Sequence, residues 1–219
     1  ITRAEVATIF YRLLTDEARA ENWTQDNGFT DVDKGDWFNT PVSTLSTMGI
    51  IGGYEDGSFQ PNAPITRAEF AAIAVRFFEE KSVDYEMGSF IDIQGDEWYA
   101  DAIQAAKDHG IIGGYEDGSF QPNEVITRAE ACSIVNRTLK RIPEKEHLLP
   151  ESLMRVWPDN ADVDAWFYED MQEATSSHEY EWIDHEGETV ENWTGDREEI
   201  DWDEVERELC ALHGVPYEE

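Results

Sequence analysis

Ile50–Glu69 reads IIGGYEDGSFQPNAPITRAE, and Ile111–Glu130 repeats it as IIGGYEDGSFQPNEVITRAE. The last five residues, ITRAE, also open the chain at Ile1–Glu5. The TRAE threonines are Thr2, Thr66 and Thr127, at steps of 64 and 61 residues, so the chain is a tandem array of small helical modules.

Each ITRAE predicts a helix start. Thr66 followed three residues later by Glu69 is a capping box, with Ile65 and Phe70 placed to staple the first turn. Thr2/Glu5 and Thr127/Glu130 repeat the box. The box does not account for Arg3, Arg67 and Arg128, which fall at the first helical position, where the macrodipole disfavours a cation by roughly 0.3–1 kcal/mol. Two uses fit an arginine there: an anion site shared with the free amides of the first turn, or an ion pair with a nearby acid. Upstream, Gly52-Gly53-Tyr54-Glu55-Asp56-Gly57-Ser58-Phe59-Gln60-Pro61 reads as a tight loop. Its amides and Tyr54 could line a pocket, while Phe59 is expected to pack beneath the turn.

Working outward, the helices expected from apolar periodicity are Thr2–Leu14, Thr66–Glu80 and Thr127–Arg141. Thr15–Asn27 reads as a polar linker. Phe29-Thr30-Asp31-Val32 precedes Trp37 by one short loop, and Phe90-Ile91-Asp92-Ile93 precedes Trp98 in the same way. Trp157-Pro158-Asp159-Asn160 with Trp166 is a third version. Short helices are expected after Trp37 and Trp98, capped by Thr40 and Asp101 and stopped by Gly49 and Gly110. Past Ala174 the repeat breaks. Tyr180 and Trp182 alternate with polar residues, Glu186-Gly187 offers a turn, and a hairpin running to Trp193 is predicted. A last helix from Asp201 carries Trp202, Val205, Leu209 and Leu212 on one face.

The net charge is −33. Residues 1–142 hold 12 basic and 24 acidic side chains, net −12; residues 143–219 hold 4 and 25, net −21. Such a field repels nucleic acid and anionic lipid, and no apolar run is long enough to insert in a membrane. Beginning in mid-repeat, the sequence reads as part of a longer precursor. Cys132 and Cys210 do not make a disulfide framework. Asp31-x-Asp33-x-x-Asp36 is similar to a calcium loop, but Gly35 comes one place early and the closing Glu is missing. His178, His185, Cys210 and His213 are candidate zinc donors; calcium suits the acidic loops better, and no metal or cofactor is assigned. No nucleophile elbow, P-loop or zincin motif is present, and near-identical repeated sites favour multivalent binding over an enzyme.

F-x-D-x-x-x-x-x-W, then G-I-I-x-G-Y-x-D-G-x-F-x-P, then I-T-R-A-E resembles the S-layer homology domain, over roughly residues 1–180. The resemblance implies a mainly α fold: a pseudo-threefold unit around a three-helix bundle, here with a small C-terminal β-hairpin and helix. It divides the chain into the C-terminal half of a first repeat (1–28), repeats at 29–81 and 90–142, and a divergent half-repeat at 156–219. It also implies an extracellular module at the cell surface that anchors exported proteins by binding secondary cell-wall polysaccharide, often pyruvylated. Two complete grooves are expected. One joins Gly53, Tyr54, Ser58 and Arg67 to Asp92 and Trp98; the other joins Gly114, Tyr115, Ser119 and Arg128 to Asp159 and Trp166. A third, Arg3 with Asp31 and Trp37, is expected to lack its loop, with Trp37 favoured as a packing residue. The alternative is an assembly module of a surface layer, making protein or calcium-dependent lattice contacts, with self-association through the acidic C-terminal part.

Overall fold

A computed structural model describes residues 1–79, 81–185 and 187–217. Eight α-helices and one two-stranded antiparallel sheet are present among them, so the fold is mainly α. The chain forms two compact units: residues 1–65 with the segment from Ile200 onward, and Thr66–Glu199.

The first unit contains α1 (Arg3–Arg12), α2 (Asp16–Asn22), α3 (Asn39–Thr47) and α8 (Trp202–His213). α1 starts on the expected capping box, Thr2 accepting from the Glu5 amide and Glu5 from the Thr2 amide. It packs on α3 and buries Val6, Phe10, Leu45, Phe59 and Ile65. The polar stretch 15–27 is not a plain linker, because α2 runs through it, capped by Thr15. Its Arg19 is buried and donates to the carbonyls of Tyr11, Arg12 and Leu14, which closes the C-terminal end of α1 two residues before the expected Leu14. α8 starts on Asp201, ends on Gly214 in the left-handed conformation, and buries Leu209 and Cys210. Leu212, expected on its apolar face, is exposed. Glu206 accepts from Thr40 Oγ1 at 2.7 Å, Trp23 Nε1 at 3.2 Å and Tyr11 OH at 3.4 Å. Burial and that carboxylate together raise the Tyr11 hydroxyl's pKa.

The second unit contains α4 (Arg67–Ala74), α5 (Ala100–Asp108), α6 (Arg128–Thr138), α7 (Tyr168–Thr175), β1 (His178–His185) and β2 (Glu188–Asp196). α4 packs on α5, α6 on α7, and α4 on α6. α4 is shorter than its periodicity predicts. It tightens into a 3₁₀ turn at Val75–Phe77, with Phe77 exposed although it falls on the helix's apolar stripe, while Phe78 stacks on His109. Its predicted end, Glu80, lies outside the described residues. The short helices α3 and α5 begin two residues earlier than expected, after Phe38 and Tyr99, neither of which caps the helix with its side chain. Burial of those two rings sets the helix starts, which frees Thr40 for Glu206 and Asp101 for the Tyr85 amide.

The hairpin forms, with Tyr180 opposite Trp193 and Ile183 opposite Val190; Glu186 of its expected turn lies outside the described residues. It covers the unit with Val190 and Trp193, and Tyr180 and Trp182 face solvent. Both cysteines are free and buried.

Candidate functional site

The two complete loops are built identically. Tyr54 donates its amide to Ser58 O, and Tyr115 to Ser119 O, each at 2.8 Å. Asp56 takes the Ser58 hydroxyl and amide, as Asp117 takes those of Ser119, and these bonds hold both carboxyls below the usual carboxylate range. Asp31 accepts from the Phe59 and Gln60 amides at 2.7 and 2.8 Å; Asp92 does the same for Phe120 and Gln121 at 2.9 and 2.7 Å. Both aspartates and both serines are therefore spent on holding the loop in shape.

The arginine at each helix start belongs with the loop that follows it in the chain. The Arg3 and Ala4 amides donate to Ala63 O and Pro61 O, and the Arg67 and Ala68 amides to Glu124 O and Pro122 O. The helix start is thereby docked on the next repeat's loop, and its first-turn amides are already used. Arg3 donates to Phe59 O and Gly52 O and lies over the Tyr54 ring, 4.8 Å from its centroid. Arg67 donates to Phe120 O, pairs with Glu130 and lies over Tyr115 at 4.8 Å. The expected grouping is thus one repeat out of step. Arg3 does have a loop, and Arg67 goes with Gly114 and Tyr115 rather than with Gly53, Tyr54 and Ser58. Arg128 is the arginine left without one, because the hairpin stands where its loop would be; it pairs with Asp159 at 2.7 Å and lies over Trp157.

In the second unit a cleft of about 460 Å³ gathers Arg67, Gly114, Tyr115 and Trp166 from the expected residues. Trp166, expected beside Arg128, lines the Arg67 cleft instead. Asp92 and Ser119 build the wall behind it, and Trp98, Arg128 and Asp159 are not among its lining residues. Trp37 is not a packing residue: like Trp98 and Trp166 it is largely exposed, edge-on to the next aromatic in the chain. The cleft also takes Glu130, Ser133, Ile134 and Arg137, none of which was singled out as a ligand residue. Their spacing of three, four and seven from Glu130 marks one face of α6, the signal that could have found them.

Glu130 ties cap and cleft together, accepting from the Thr127 amide and hydroxyl and from Tyr115 OH at 2.9 Å, besides Arg67. Burial pushes its pKa up, but the Thr127 bonds, Arg67 and Tyr115 outweigh it and hold the carboxyl below its ordinary 4.5. Glu130 therefore stabilises the folded state at pH above that ordinary value, and the contribution is lost as pH falls through the depressed folded value. Acid titration of unfolding in the native chain and in Glu130→Gln should show this, with the variant less stable at neutral pH and the two converging in acid. Parallel curves would contradict it.

Residues 28–71 and 89–132 match the S-layer homology domain. These two stretches are S-layer homology domains. The chain is 33% identical over 195 residues to a cellulosome-anchoring protein of Acetivibrio thermocellus, covering 87% of this chain and 41% of that protein. It is 30% identical over 191 residues to cell surface glycoprotein 1 of the same organism, covering 82% of this chain and 8% of the glycoprotein. A surface layer protein of Brevibacillus choshinensis is 31% identical over 116 residues, 52% of this chain and 10% of that protein. The chain thus spans under half of the first relative and a small part of the others. Both S-layer homology domains hold one of the paired loops and the aspartate that builds it. No helix among the described residues is long and apolar enough to cross a membrane.

Proposed function

We propose that the chain is a non-catalytic anchor that holds a larger protein at the bacterial cell surface by binding a wall polysaccharide. The cleft of the second unit carries this reading. Tyr115 and Trp166 offer flat apolar faces to a sugar ring, and Arg137 and the loop amides offer donors to a carboxylate, such as a pyruvyl group. Arg67 is spent on Phe120 O and Glu130, so it shapes the cleft more than it meets a ligand. Arg3, Gly53 and Tyr54, backed by Ser58 and Asp31, are the counterpart in the first unit; Trp37 is not, since its equivalent Trp98 does not line the second cleft. Repeats at 29–81 and 90–142, arranged with pseudo-threefold symmetry around the three ITRAE helices, complete the proposal.

The test is a pull-down with purified wall polysaccharide, with and without its pyruvyl groups. Saturable binding is expected, weakened at least about tenfold in Trp166→Ala and in Arg137→Ala, since an aromatic or arginine anchor carries a large part of such an interface. Because the protein's own field repels an anionic polymer, affinity should hold or rise as salt approaches physiological strength. Undiminished binding by both variants would sink the cleft.

A further inference from the structure

Four metal-binding side chains converge beside the hairpin. Glu144, Glu146 and His147 come from the 3₁₀ turn after α6, and His185 from the end of β1; one donor atom from each lies within 4.8 Å of all the others. His185 Nδ1 is 2.7 Å from Glu144 Oε2, and its Nε2 is 3.2 Å from Glu146 Oε1. His147 Nε2 is 3.4 Å from Glu144 Oε2 and 3.8 Å from Glu146 Oε1. A tetrahedral zinc with bonds of about 2.0–2.2 Å separates its N and O donors by about 3.3–3.5 Å. The named pairs lie 2.7 to 3.8 Å apart and the whole set within 4.8 Å, so small side-chain shifts bring one nitrogen of each histidine and both carboxylates to that spacing.

A second observation points into the same space. Asn192 directs its amide nitrogen to Glu181 Oε1 at 3.2 Å, which leaves its Oδ1 to accept from His147 Nδ1 at 3.2 Å. The proton of a neutral His147 is therefore on Nδ1, and Nε2 presents a lone pair. That Nε2 is buried, in a side chain only 16% exposed, and has no hydrogen-bond partner. A lone pair aimed at two carboxylates is unfavourable unless a proton or a metal cation lies between them. Two glutamates and two neutral imidazoles carry net −2, which one divalent cation neutralises; two protons would instead set two imidazolium rings together, their centroids 4.9 Å apart. Lys145 does not compete for the site, because it is committed to Val163 O and Asp164.

We infer that Glu144, Glu146, His147 and His185 form a zinc(II) site that ties the hairpin to the turn after α6, with Asn192 positioning His147. Two nitrogen donors select zinc over calcium, which takes oxygen ligands. The buried trio Glu173, His178 and Glu191 is a different case. Arg141 lies 3.4 and 3.8 Å from its two carboxylates and occupies it as an ion-pair network. The zinc donors expected from sequence are thus not one set: His178 and His185 serve separate clusters, and His213 donates to Ala20 O.

The full chain, stripped with a chelator, should bind one zinc by calorimetry, and cobalt(II) in its place should give the intense visible absorption of a tetrahedral site. His147→Gln and His185→Gln should each weaken zinc at least about tenfold, Asn192→Ala by about tenfold or more, and the double histidine variant should abolish it. Zinc retained by the double variant, or calcium displacing zinc, would overturn the assignment, as would the absence of binding. If a variant fails to fold by circular dichroism, long-range proton–nitrogen spectra of the native chain decide: zinc must shift His147 Nε2 and a His185 nitrogen, and unmoved signals reject the site.

Discussion

Arg67→Ala should destabilise the second unit by about 2–4 kcal/mol, because it removes the charged partner of a part-buried carboxylate that keeps its Thr127 and Tyr115 bonds, and it leaves Phe120 O unserved. The Arg67 and Glu130 side chains are 8% and 17% exposed, and the guanidinium also satisfies Phe120 O. Arg128→Ala removes an arginine from the same motif position but should cost only about 0–1 kcal/mol, since Arg128 and Asp159 are 38% and 51% exposed and solvent screens the pair. Urea unfolding followed by tryptophan fluorescence compares them. The double variant Arg67→Ala/Glu130→Gln should recover part of the loss, because the stranded charge is then gone. Equal losses at Arg67 and Arg128 would mean that the loop contributes nothing to holding the arginine.

Gly114→Ala should cost about 3 kcal/mol, at the upper end of what overpacking does. A Cβ at Gly114 would lie 2.7 Å from Ser119 O and 2.8 Å from the Phe90 ring; at Gly53 the distances to Ser58 O and Phe29 are 2.4 and 2.5 Å. Neither neighbour can yield easily, since one is backbone and the other is a ring packed on Phe120 or Phe59. Gly113→Ala meets no atom within 4 Å and should change stability by no more than about 0.5 kcal/mol. The two glycines of each Gly-Gly pair thus do different things, and thermal denaturation of the two alanine variants should separate them. If both are tolerated, the loop is not clamped as described.

The three helix starts were legible because a capping box is written in residues three apart and needs nothing distant. The hairpin was legible for the same reason: alternation is local. What the sequence left obscure depends on partners far along the chain. α2 looked like linker because the force that orders it is a buried guanidinium on the end of α1, and Arg19 alone does not announce that. The grooves came out one repeat off, since the residues of each motif are adjacent in sequence while the docking of Arg3 and Arg67 is onto carbonyls 49 to 60 positions away. Glu130 was visible as a cap and hidden as a wall of the cleft, one side chain filling both places.

Glu206 gives the first unit a timetable. Tyr11, Trp23 and Thr40 are all made early, yet the carboxylate that accepts their hydrogen bonds sits on α8, which follows the whole of Thr66–Glu199. During synthesis the earlier-numbered unit is therefore the later one to close, and until Glu206 arrives its indole and hydroxyl donors must be served by water. A chain cut at Glu199 would keep every residue of the second unit and leave the first permanently at that half-finished stage.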